Sequence, residues 1–171
     1  MGIDHGGYRI EDMHTQNDIL ILGVGNLLMK DEGVGVHVVE KLKTMQLPEN
    51  VEVLDGATSG FDLIHYINGY KKLIVIDAVT NGEKPGTLYR LTEENLEAKP
   101  KVLYSLHQID FLDAMDMAEI MGMKPEKVVV IGIEPKDMSA GISLSPEIQS
   151  RIPLIIDTVM KEIGNSAKGS I

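Results

Sequence analysis

Apolar positions along this chain follow two rhythms. Short runs of strand length stand at Ile19 to Gly23, Val51 to Leu54, Leu73 to Ile76 and Val128 to Ile133. Each ends in glycine, Asp-Gly or a single acid, the punctuation expected where a buried strand leaves a sheet. A fifth segment, Thr87 to Leu91, alternates after the Pro85-Gly86 turn and suits a sheet edge, where an antiparallel strand is expected.

Between these runs the spacing becomes helical. Val36, Val38, Val39, Leu42 and Met45 follow Gly33 and Gly35, and Pro48 closes the segment. Phe61, Leu63, Ile64 and Ile67 predict a short helix stopped near Gly69, and a further helix is expected from Asp110 to Met121. The last spans about Ser145 to Ile163, with Ser145 as N-cap and Pro146 at the first helical position. Strands alternating with helices give an α/β fold: a three-layer sandwich with a mostly parallel, twisted sheet of about five strands and helices on both faces. Residues 17–164 form one domain. Residues 1–16, polar and aperiodic, read as a flexible leader of native or vector origin, and 165–171 as a flexible tail.

In such a sheet, ligands bind beyond the carboxyl ends of the strands, so polar residues there carry the most weight. Three places qualify. The loop from Gly23 to Gly35 holds Asp31 and Glu32 between strand and helix; a carboxylate there either binds a ligand or complements the helix dipole. Asp77 ends the run Leu73 to Ile76 and either meets a cationic partner or caps the following turn. His107, in a loop before a helix, is either a ligand or a surface imidazole. Together Glu32, Asp77 and His107 offer two carboxylates and one imidazole, a donor set that suits divalent metals such as nickel or zinc. Asp31 is a candidate support for this set, and Asn26, Asp55 and Thr58 are candidates for lining a substrate cleft.

Other chemistries fall away. Leu28 stands where a dinucleotide-binding G-x-G-x-x-G needs glycine, and there is no H-E-x-x-H pair and no G-x-S-x-G elbow. His37 and His65 sit within helical, apolar surroundings. The chain has no cysteine, which removes disulfides and thiolate nucleophiles, and its ten methionines read as adaptable core or contact residues. With 171 residues, 43% of them hydrophobic, it can build one core. Its formal charge of −10 disfavours nucleic acid. No run approaches the roughly 20 apolar residues of a membrane span, so a soluble cytoplasmic protein without a membrane partner is expected.

The loop motif resembles that of the nickel-iron hydrogenase maturation endopeptidases, G-x-G-N-x-L-x-x-D-[DE]-x-x-G, matched by Gly23, Gly25, Asn26, Leu28, Asp31, Glu32 and Gly35. The likeness continues through Asp55-Gly56-Ala57-Thr58-Ser59-Gly60, Ile76-Asp77-Ala78, Ser105-Leu106-His107-Gln108, Gly132-Ile133-Glu134-Pro135 and Leu144-Ser145-Pro146. Ala57 and Leu106 depart from it, where many relatives have glycine and several have proline. The resemblance implies a phosphorylase/hydrolase-like fold and an endopeptidase that removes a short C-terminal peptide from the hydrogenase large-subunit precursor. It further implies that Glu32, Asp77 and His107 are the catalytic and metal-recognition residues. The metal is nickel carried by the precursor; zinc or cadmium could take the site in vitro. A monomer is the expected state. The rival readings are a metal-dependent peptidase or amidase with another substrate, and a non-catalytic nickel sensor or chaperone.

Overall fold

The computed structural model describes residues 18–57, 63–98 and 106–166, with backbone alone at 57, 96–98, 106–110 and 165–166. In chain order the elements are β1 (Ile19–Val24), α1 (Val34–Leu42), β2 (Val51–Ala57), α2 (Leu63–Ile67), β3 (Lys72–Ala78) and β4 (Leu88–Thr92). Then come α3 (Glu93–Ala98), α4 (Leu106–Ile120), β5 (Lys127–Ile133), α5 (Pro146–Gln149) and α6 (Ile152–Ser166). A short 3-10 turn, Lys30–Gly33, leads into α1. Among the described residues, no helix is long and apolar enough to cross a membrane.

The five strands form one sheet in the order β2-β1-β3-β5-β4. All neighbours run parallel except β4, which joins β5 antiparallel at the edge, as the turn before it led one to expect. Register explains why the central strands read as unbroken apolar runs. Ile21, Ile74 and Val129 lie side by side on one face, and Leu22, Val75 and Val130 on the other. The first face packs on α1 and α6 through Val34, Val38, Leu42, Ile155 and Val159. The second packs on α2 and α4 through Leu63, Ile67, Phe111, Ala114 and Ala118. A strand buried on both faces gains from apolar side chains at every position, so period-2 alternation vanishes. The result is the three-layer sandwich expected from the sequence.

Two helical expectations are corrected. The last helix is not continuous from Ser145 to Ile163: α5 stops at Gln149 and α6 starts at Ile152. Pro153 accounts for the break, since it has no N–H for the Gln149 carbonyl and its ring collides with that carbonyl in an unbroken helix. At the second position of a new helix those defects are harmless. α6 then runs on to Ser166, through the first residues of the expected tail; the leader and the rest of that tail lie outside the described residues. The acidic stretch after Leu91 also contains a short helix, α3.

At the end of the sheet where β3 begins, an ion cluster is buried. Lys72 Nζ reaches Glu162 Oε2 at 3.0 Å and donates to the Glu162 carbonyl at 2.9 Å, while Arg90 forks onto the same carboxylate. Burial pushes the Glu162 carboxyl up, but the bonds from Arg90 and Lys72 together outweigh it and hold it below the usual glutamate range. Glu162→Ala is therefore expected to cost about 3–5 kcal/mol at neutral pH, because Lys72 is left buried without its counter-charge. A lowered folded-state value means that the contribution is present above the unfolded glutamate value of roughly 4.3 and fades as pH falls through the folded value. Urea titrations should thus show wild type and variant converging in acid. A gap that stays constant with pH would assign the loss to packing.

Candidate functional site

The strand order places a topological switch between β1 and β3. The chain leaves β1 through α1 to reach β2 on one side, then returns through α2 on the opposite face to β3. At their carboxyl ends β1 leads to α1 on one face, whereas β3 leads by way of the edge strand β4 to α4 on the other face, the reversal beyond which ligand crevices of open α/β sheets lie.

Glycine allows the first loop to close on this crevice. A Cβ at Gly35, in the first turn of α1, would lie 2.1 Å from the Ile76 carbonyl oxygen and 2.4 Å from that of Val24. Only a bare backbone lets α1 begin against both strand ends. Gly25, at φ +143°, passes so close to the following turn that a Cβ would stand 2.0 Å from the Glu32 carbonyl oxygen. These contacts set the 3-10 turn and its Glu32 against the end of β3.

Glu32 is half-buried in that turn. It is not the N-cap residue of α1, a position taken by Gly33. Asp77, one residue before the end of β3, is only 3% exposed, and its Oδ1 accepts the Ala78 N–H at 2.8 Å. The turn-capping contact anticipated for it is thus present in part. His107 is not in a loop: it is the second residue of α4, which begins four residues earlier than the periodicity indicated. Because α4 leads into β5, a parallel strand, its first turn lies at the same carboxyl edge as Glu32 and Asp77. The His107 side chain is outside the described residues. Among those residues, no three histidine, aspartate or glutamate side chains converge to hold a metal ion.

Asp31 is fully buried and has a definite task. Its carboxylate accepts four hydrogen bonds: from the N–H groups of Lys136 at 3.0 Å, Asp137 at 2.9 Å and Ser145 at 2.7 Å, and from the Ser145 hydroxyl at 2.8 Å. It thereby ties the first loop to the segment after β5. Ser145 does occupy the N-cap of α5 with Pro146 following, but its hydroxyl turns to Asp31 and makes no cap bond. Backbone bonds extend the tie, from Lys30 N–H to the Gly141 carbonyl, from Gly141 N–H to the Leu28 carbonyl, and from Asp31 N–H to the Asp137 carbonyl. β1 and β5 flank β3, so this seam bridges across the strand that carries Asp77.

The remaining candidates separate. Asn26 shapes the loop, its Oδ1 accepting the Leu28 N–H at 2.9 Å. Asp55 is exposed on β2, beside Gly23 in register, at the rim of the sheet. Thr58 lies outside the described residues. His65 is exposed on α2 and His37 partly buried on α1. Sequence reasoning assigned no task to Glu134, which is 4% exposed. It accepts the N–H groups of Asn81 and Gly82 and the Tyr89 hydroxyl at 2.7 Å, fixing the connection from β3 to β4. Burial, then the bond to Glu134, pushes the Tyr89 hydroxyl well above the usual tyrosine range. The signal was available: an acid directly after a fully apolar strand needs partners.

Comparison with known proteins gives a consistent picture. A family profile described as hydrogenase maturation protease matches residues 36–162. The hydrogenase expression/formation protein HupD of Rhizobium leguminosarum bv. viciae is 38% identical over 149 residues, covering 84% of this chain and 72% of that protein. The hydrogenase 2 maturation protease of Escherichia coli is 33% identical over 155 residues, covering 90% and 94%. Among solved structures, the hydrogenase maturating endopeptidase HybD from E. coli superposes with a TM-score of 0.80 at 33% identity, covering 86% of this chain and 93% of its own.

Proposed function

The chain belongs to the hydrogenase maturation proteases and is a peptide hydrolase; from that premise we propose that it removes a short C-terminal peptide from a nickel-loaded hydrogenase large-subunit precursor in the cytoplasm. The observation that carries this reading is the crevice at the β1/β3 switch. Glu32 lies in the turn packed against β3, Asp77 stands one residue before the end of β3, and His107 is the second residue of α4, which supports assigning all three to that switch.

Two carboxylates and one imidazole fit a borderline divalent cation, and three protein donors leave coordination positions unfilled. Nickel reaches the site as part of the substrate, held by the precursor's cysteine thiolates, and the three side chains complete its shell. Metal recognition then aligns the precursor's C-terminal segment with the crevice. The scissile carbonyl can be polarised there by the same cation. Zinc or cadmium would compete for such a donor set in vitro.

The test separates processing from mere recognition. Precursor with and without nickel is incubated with the protein and followed by mass spectrometry. Loss of a C-terminal fragment from the loaded form alone is the expected result. Cleavage of both forms removes nickel as the signal, and binding of the loaded form without mass loss supports a chaperone.

A further inference from the structure

The seam that bridges β1 and β5 carries a feature which positioning Glu32 does not require. Leu27, Leu28, Met138 and Ile142 are all exposed on its two strands of loop, Leu28 at 66% and Ile142 at 72%. Such exposure of large apolar side chains is ordinary when they are scattered. Here they are gathered: the Leu28 carbonyl accepts the Gly141 N–H at 2.8 Å, Ile142 follows Gly141 directly, and Met138 follows Asp137, whose carbonyl takes the Asp31 N–H.

We propose that Leu27, Leu28, Met138 and Ile142 form the docking lip for an extended apolar stretch of the precursor beside its scissile bond. The proposal rests on the peptidase reading above. Continuity is the first argument, since the seam crosses the end of β3 and its next residue after Asp31 is Glu32. Rigidity is the second. The lip is held by backbone hydrogen bonds and by the buried Asp31 carboxylate, so little freedom is lost when a peptide covers it. Charge is the third. Lys30 and Asp137, next to the lip residues, neutralise each other at 2.5 Å, so that pair offers no net charge to a charged segment, and a chain of net charge −10 repels an acidic one. A second apolar patch, Met117, Ile120 and Met121, lies at the far end of α4, by the start of β5 and away from the carboxyl edge.

The double variant L28S/I142S tests the lip, with its thermal midpoint as a control for folding, because both side chains are exposed. Nickel-loaded precursor is titrated for binding and for C-terminal mass loss with wild type and variant. The expected result is a rise of about tenfold in both Kd and KM with kcat unchanged, the loss of two apolar contacts at an interface. Unchanged Kd and KM while wild type cleaves overturn the lip and leave the peptidase reading standing. If wild type fails to cleave, that reading falls, and the Kd ratio alone decides the lip. Sedimentation supplies the other occupant: a wild-type dimer lost in the variant, with Kd and KM unmoved, assigns the patch to a second copy and overturns the proposal.

Discussion

Glu32→Gln, Asp77→Asn and His107→Ala are each expected to lower the processing rate by more than roughly 100-fold, since even outer-shell partners of a bound metal are worth 10–100-fold. Folding should survive all three. Glu32 is half-buried in a short turn, and glutamine keeps its length and a side-chain carbonyl oxygen. Asp77→Asn keeps a carbonyl oxygen to accept the Ala78 N–H, so that turn-capping bond persists. Time courses of precursor mass loss, with thermal unfolding in parallel, check both halves. Wild-type rates in all three variants would remove these residues from the site; lost activity with a collapsed melting point would make the affected residue structural instead.

Asp31 should behave in the opposite way. Asp31→Ala strips the acceptor from three backbone N–H groups and the Ser145 hydroxyl, the two bonds from Ser145 being buried and those from Lys136 and Asp137 part-buried. Unsatisfied buried donors facing a lost charge should cost about 4 kcal/mol, and for a chain of this size that lowers the melting temperature by about 10 °C. Asp31→Asn should fall between, because its amide presents hydrogens toward some of the same donors. Amide exchange at Lys136, Asp137 and Ser145 should accelerate in both. Processing would fall as well, through release of the Glu32 turn. A melting point within about 2 °C of wild type would show that the backbone bonds of the seam suffice without the carboxylate.

The contrast between these neighbours marks what the sequence could and could not convey. Buried strands announce themselves because a parallel strand covered on both faces must be apolar throughout, which made β1, β3 and β5 legible, whereas the edge strands β2 and β4 were legible from the Asp55-Gly56 and Pro85-Gly86 turns beside them. The ends of β1 and β3 followed from the same logic, and with them Glu32 and Asp77. The start of α4 was not legible, since stepping its apolar stripe of Phe111, Ala114, Met115 and Ala118 back by one turn meets polar His107 and Gln108 in the sequence. Asp31 and Glu134 were out of reach for another reason. Their partners stand 105–114 and 45–53 residues away, and no local pattern reports a hydrogen bond over such distances. Pro153 could have been read as a break; its position inside a strongly apolar helical pattern masked it.

The bond from Ser145 to Asp31 also gives the crevice a position in time. The two residues are 114 apart, so at 5–20 residues per second the ribosome needs roughly 6–23 s to deliver the second after the first. Before the segment from Lys136 onward is made, the loop that carries Glu32 has glycine contacts with β1 and β3 but none of the seam's hydrogen bonds on its outer side. A nascent or truncated chain ending before Lys136 can pair β1 with β3 without the lip or the seam that holds the loop of Glu32. The fixed position of the Glu32 turn is thus withheld until the segment after β5 has been made, however early β1 and β3 pair.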